Sequence, residues 1–225
     1  MRARLPFEIL YEDRDLIVID KPAGLLTTHT KVVGRAAREA QLTAENLLND
    51  YVRKGQRRSR LQVYLVHRLD RETSGVMMFA KSEEVASRFR ANWQELTEKT
   101  YLARVAGELE AGEGTFESYL KEDDDGYRVR SVPQARPGTP QAGRLARTDW
   151  RRLAAAGGAT LVEVRLRSGR KNQIRVHFAE AGHPVVGDVK YGGPKAPRLY
   201  LHAKRLRLRH PHSGQWLVFE SENYW

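Results

Sequence analysis

The chain has 225 residues, with 39 Lys and Arg against 28 Asp and Glu, a formal charge of +11 and a pI near 10.0. Such a field concentrates polyanions, so nucleic acid is the expected partner. Cysteine is absent, which excludes disulfides and thiolate metal sites; no stretch reaches the ~20 apolar residues of a membrane span, and the N-terminus lacks the apolar core of a signal peptide. These absences lead to the expectation of a soluble, cytoplasmic, monomeric chain with no membrane partner. The basic residues are spread over Arg53–Arg60, Arg144–Arg152, Arg165–Arg175 and Lys204–Arg209, a distribution that suits a folded surface gripping phosphate at several points. Each cluster taken singly reads equally as a solubilising surface.

In chain order, Leu16 to Asp20 (LIVID) reads as a buried strand ended by the turn Lys21-Pro22-Ala23-Gly24. His29 to Gln41 has little apolar periodicity and reads as an exposed insertion. Thr43 is the expected N-cap of a helix reaching Val52, with Leu47, Leu48 and Tyr51 on one side. The clearest helix begins after Ser82, with Glu83 and Glu84 in its first turn and Val85, Phe89, Trp93 and Leu96 as a core-facing stripe. Thr100 to Ala106 alternates as a strand that places Tyr101, Ala103 and Val105 on one face. Phe116–Leu120 and Tyr127–Val132 flank KEDDDG, whose Asp125-Gly126 pair marks a hairpin. The acids Asp123 to Asp125 read as a solvated turn, because no further metal ligands stand at matching spacing. Pro133 to Gly143 is a loop. Val162, Val164 and Leu166 alternate as a strand, Ser168-Gly169 turns it, and a helix is expected from Lys171 or Asn172 to a stop before Gly182.

Two segments carry chemistry. Val66 to Lys81 (VHRLDRETSGVMMFAK) sets Asp70 in a turn between two apolar runs that read as strands, an arrangement that presents a reactive carboxylate on a rigid frame. On spacing alone it is also a polar loop closing a hairpin. In Arg165 to Tyr191, Lys171 and Arg175 are four residues apart and, on a helix, face one way, with Ile174 and Phe178 opposite. That pair suits a phosphate or carboxylate clamp, and equally a solvated basic face.

The string His67-Arg68-Leu69-Asp70 with Thr73-Ser74-Gly75 resembles the HRLDxxTSG signature of the RluA-type RNA pseudouridine synthases. Lys21-Pro22-Ala23-Gly24-Leu25, the K-x-Y-x-A-x-V-x-G strand from Lys99 to Gly107, the GRxxQIRVH…GHPxxGDxxY segment and the Leu201-His202-Ala203…His210-Pro211 pair resemble further segments of that family, so the likeness runs from about Tyr11 to Phe219. It departs at Asn172, where many relatives have His. The resemblance implies an α+β pseudouridine-synthase core: a mixed, largely antiparallel bent sheet with flanking helices and a central basic cleft. It implies one catalytic domain over 1–225, without a separate N-terminal RNA-binding domain, because the core pattern starts within the first twenty residues.

The implied activity is isomerisation of a uridine in structured ribosomal or transfer RNA, without cofactor or metal. By resemblance Asp70 is the catalytic carboxylate, Arg175 its guanidinium partner, and Tyr101 the residue that stacks on the uracil and is the candidate base at carbon 5. A phenol has an unperturbed pKa near ~10 and is a weak base at neutral pH, so Tyr101 would need help from nearby cations. Arg68, expected on the same side of a strand as Asp70, fills the space left by the extruded nucleotide, and Arg170 and Lys171 contact RNA. His67 then faces the other way, as a structural hydrogen-bonder. The alternative is a non-catalytic RNA-binding or ribosome-assembly factor of the same fold, which the joint presence of Asp70, Tyr101 and Arg175 disfavours. A DNA-binding reading rests on charge alone, with no helix-turn-helix or zinc spacing, and a glycosidase normally needs a second placed carboxylate.

Overall fold

The computed structural model describes residues 5–29, 41–54, 56, 58–136, 138–139 and 142–225. Most of the expected insertion at 29–41 lies outside the described residues. The chain forms two compact units, Met1–Thr97 with Ala203–Tyr224, and Glu98–His202 with Trp225.

The first unit is built on strands β1 (Glu8–Glu12), β2 (Leu16–Lys21), β3 (Tyr64–Leu65) and β4 (Ser74–Ala80), completed from the far end of the chain by β10 (Leu201–Arg209) and β11 (Trp216–Glu220). The order is β1-β2-β4-β10, with β3 on β4 and β11 on β10. β2 and β4 are buried along their whole length, which accounts for their continuous apolar runs. Three helices accompany the sheet: α1 (Ala44–Arg53), α2 (Glu83–Ala91) and the single turn α3 (Trp93–Leu96). The expected caps are present. Thr43 accepts the Asn46 amide and Ser82 the Val85 amide through their hydroxyls, each satisfying an amide that the first helical turn leaves unpaired. Phe89 and Leu96 join Leu16, Val18, Val76, Met78, Leu206 and Leu208 in one core, with Val85 and Trp93 packed against it.

The second unit holds β5 (Thr97–Ala106), β6 (Glu113–Glu122), β7 (Val129–Val132), β8 (Arg144–Ala156) and β9 (Ala159–Leu166), in the order β5-β9-β8-β6-β7. These pairs are antiparallel, as are β1–β2, β2–β4, β3–β4 and β10–β11. Helix α4 (Gln173–Glu180) covers one face, its Phe178 ring edge-on to Phe116 at 5.1 Å and 6.1 Å from Trp150. Trp150 lies opposite Val164, and Val164 opposite Tyr101. Direct partners share a face, so Tyr101 lies on the α4 side of the sheet. The chain is thus α+β and largely antiparallel, as expected. Among the described residues no helix is long and apolar enough to cross a membrane.

Candidate functional site

Residues 66–73 link β3 to β4, and Tyr64 and Leu65 pair with Ala80 and Phe79, so the two strands expected around Asp70 are present. The segment itself is not a strand, however. Its backbone is held by groups outside any ladder, so Arg68 and Asp70 are not related by strand alternation, as the spacing had suggested. The Thr27 hydroxyl donates to the Leu69 carbonyl at 2.8 Å and accepts the Leu69 amide at 3.3 Å. The Arg71 carbonyl accepts the Gly24 amide at 2.8 Å and the Lys21 ammonium at 3.2 Å, while the Arg71 guanidinium returns a bond to the Gly24 carbonyl. The Thr73 amide donates to the Asp70 carbonyl at 3.1 Å, closing a turn. Asp70 is thereby pinned through both neighbours, with its own side chain half-buried and that of Arg68 exposed.

Lys21 is the pivot of this frame. It is the last residue of β2, it is fully buried, and its ammonium donates to the Pro22, Leu25 and Arg71 carbonyls at 2.9, 2.8 and 3.2 Å. Three carbonyls match the three N–H bonds of an ammonium, the condition under which a buried cation is tolerated. His67 accepts the Met78 amide at 3.1 Å and lies 4.6 Å from the Trp93 ring, the structural role expected of it.

In the second unit, α4 begins at Gln173, two residues later than the earlier of the two expected starts. Asn172 precedes it in the left-handed conformation, φ 51°, which Asn tolerates better than most residues. Its side-chain oxygen accepts from Lys190 at 2.8 Å and from the Tyr191 hydroxyl at 3.2 Å. Lys171 consequently stands outside the helix, and the clamp expected from Lys171 and Arg175 on one helical face is not formed. The Lys171 ammonium bonds Glu122 at 2.7 Å and the Gly126 carbonyl. Arg170 donates to the Leu145 carbonyl at 3.0 Å, and burial and the Arg144 charge push its pKa down.

Arg175 is 8% exposed and forms a two-pronged pair with Asp188, which is 1% exposed: Nε to Oδ2 and Nη2 to Oδ1, both 2.7 Å. The Tyr191 ring lies 5.2 Å from the guanidinium carbon. Parallel charge-assisted bonds of this length fix a guanidinium plane tightly. Nη1 takes no part in that pair. Asp188 was not singled out from the sequence; an acid at the centre of GHPVVGDVKY was the available signal. Lys99 was also passed over. It stands two residues before Tyr101 on the same strand face, its ammonium 3.3 Å from where a side chain at Gly169 would begin, and burial pushes its pKa down to about 8.

A family model described as RNA pseudouridylate synthase matches residues 15–180, which include Asp70, Tyr101 and Arg175. The chain belongs to that family. The ribosomal large subunit pseudouridine synthase D of Nitrosomonas europaea is 36% identical over 235 residues, covering 96% of this chain and 62% of its own length, so the chain spans less than two thirds of that relative. The tRNA pseudouridine synthase C of Vibrio vulnificus is 35% identical, covering 96% of this chain and 90% of its own. The solved structure of human RNA pseudouridylate synthase domain containing 4 shares the fold, with a TM-score of 0.73 over 95% of this chain and 87% of its own at 24% identity.

Proposed function

We propose that this pseudouridylate synthase isomerises a uridine in structured ribosomal or transfer RNA, with Asp70 as the reacting carboxylate. The carrying observation is the fixing of the Asp70 turn by Thr27, Gly24 and Lys21 inside the HRLDxxTSG string. A carboxylate held by its backbone on two sides loses little freedom when it engages a substrate. The reaction breaks the bond between uracil N1 and ribose C1′, turns the ring and forms the C5–C1′ bond. N1 ends with a proton and C5 gives one up, so no electrons are exchanged with a cofactor. In this reading Arg175, its guanidinium plane fixed by Asp188, is the partner of the reacting anion. Tyr101 stacks on the uracil, and Lys99, two residues before it on the same strand face, eases proton removal from C5. Arg68 fills the vacated stack, and Arg170 and Lys171 contact phosphate. The relatives named for ribosomal and transfer RNA support an RNA substrate, and the reading takes the chain as a monomeric, single catalytic domain of the cytoplasm.

The test is Asp70→Asn assayed by tritium release from RNA carrying uracil labelled at carbon 5. Turnover is expected to fall by roughly a thousandfold or more while filter-bound RNA changes by less than about threefold. Turnover within about tenfold of the parent would remove Asp70 from the chemistry.

A further inference from the structure

The β10–β11 hairpin has two unlike faces. Leu206, Leu208, Leu217 and Phe219 turn inward to the first unit's core. On the outer face, the register sets Arg205 opposite Glu220, Arg207 opposite Val218 and Arg209 opposite Trp216. Every outward position of β10 from 205 to 209 is thus an arginine, against the single acid Glu220, which lies 3.4 Å from Arg205. Trp216 and Val218 are 41% and 45% exposed. The Arg207 guanidinium lies over the Trp216 indole, 4.2 Å from its centroid, so the two form one stacked unit whose exposed faces can receive a base. A solvated strand face does not need an indole, whose exposure forfeits burial of a large apolar area. A row of cations beside an aromatic plane suits a single nucleic-acid strand, which offers phosphates and base faces along one edge.

The ribbon also has a direction. Gly75, at the foot of the Asp70 turn, abuts the β10 backbone so closely that a side chain there would begin 2.3 Å from the Ala203 carbonyl oxygen. From Ala203 the outward arginines follow at two, four and six residues, so at ~3.3 Å per residue they run from about 7 to about 20 Å beyond that contact.

We propose that the outer face of β10–β11 is a second RNA contact, holding an unpaired segment of the substrate away from the target nucleotide. Arg205 and Arg209 take phosphates, and a base stacks on the Trp216–Arg207 platform. The proposal rests on the RNA-modifying reading for its occupant, and binding tests it independently of turnover. The probe is a fluorescein-labelled 20-nucleotide oligouridine, titrated at several salt concentrations. Arg205→Ala with Arg209→Ala should weaken binding by roughly tenfold or more and lower the log–log salt slope by about 1.4, at ~0.7 per phosphate. Arg90→Ala with Arg130→Ala, removing equal charge at exposed positions away from the hairpin, should do neither. Trp216→Ala should weaken binding by at least about fivefold, while Trp216→Phe stays within about twofold and loses the tryptophan quenching that the oligonucleotide causes in the parent. Urea unfolding of each variant accompanies the titrations, and the Trp216→Phe quenching readout stands even where Trp216→Ala is unstable. Equal losses from the two arginine pairs, or unchanged affinity and quenching in the Trp216 variants, would overturn the proposal whether or not the protein makes pseudouridine. Ribbon-dependent binding by a protein that makes none would uphold the ribbon and sink the enzymatic reading.

Discussion

Arg175 commits two of its three nitrogens to Asp188, and its behaviour therefore depends on a residue thirteen positions away. Removing one member of a buried ion pair leaves the other desolvated, at a cost of ~3–5 kcal/mol. Asp188→Ala is expected to lower the urea-unfolding free energy by about that amount and to cut kcat more than KM. Arg175→Lys should recover little of the activity that Arg175→Leu loses, because a point charge cannot make two parallel bonds. A full kcat in Asp188→Ala would show that the orientation of Arg175 does not matter to turnover. Asp70, Tyr101 and Arg175 were legible as candidates because their motifs are long strings of adjacent residues. Asp188, Lys99 and the clamping role of Lys21 were not, because their partners stand far along the chain or in the backbone, where spacing carries no signal. Lys21 reads as the start of a turn only until its ammonium is seen to collect the carbonyls of that turn.

At the scale of elements, the caps and apolar alternation revealed α1, α2, α4 and seven strands but not β1, β8, β10 or β11, and a helix start is misplaced where side chains compete with helical bonding. Lys171 fits a helical spacing, yet the left-handed Asn172 stops the helix from reaching back to it. The helix face that follows carries a buried titratable ring. His177 lies 2.9 Å from the Thr148 hydroxyl and 3.0 Å from that of Ser118. Burial pushes its pKa down to about 4, against an opposing pull from Glu180. The unfolded chain takes up this proton near pH ~6.5 and the folded one only near 4, so stability present above pH ~6.5 is lost as pH falls toward 4. Between pH 6.5 and 5 the loss should be about 2 kcal/mol. Urea denaturation at those two pH values should show it in the parent and not in His177→Gln; an equal drop in both would assign it to other groups. On β4, Gly75→Ala forces a side chain onto the Ala203 carbonyl at φ 111°, and should cost more than about 2 kcal/mol in the same measurement. A neutral Gly75→Ala would mean that β10 gives way easily there.

For the whole molecule, the charge of +11 is distributed over both units, so RNA affinity should fall steeply with salt. At ~0.7 per phosphate, four or more contacts give a log–log slope steeper than about −2.8; a slope near zero in filter binding would leave the net charge without a part in recognition. The division into units was not legible, because the first is assembled from opposite ends of the chain, with His210 2.7 Å from Asp13 and Ser221 2.8 Å from Asp20. That separation has a temporal consequence. A chain emerging from the ribosome N-terminus first displays the Asp70 turn long before the strand that must flank Gly75 exists. The first unit closes only when residues 203–221 have been made, so until then the Asp70 turn lacks the strand that packs against Gly75. A chain ended before Ala203 carries the Asp70 turn without the β10 backbone against which Gly75 packs.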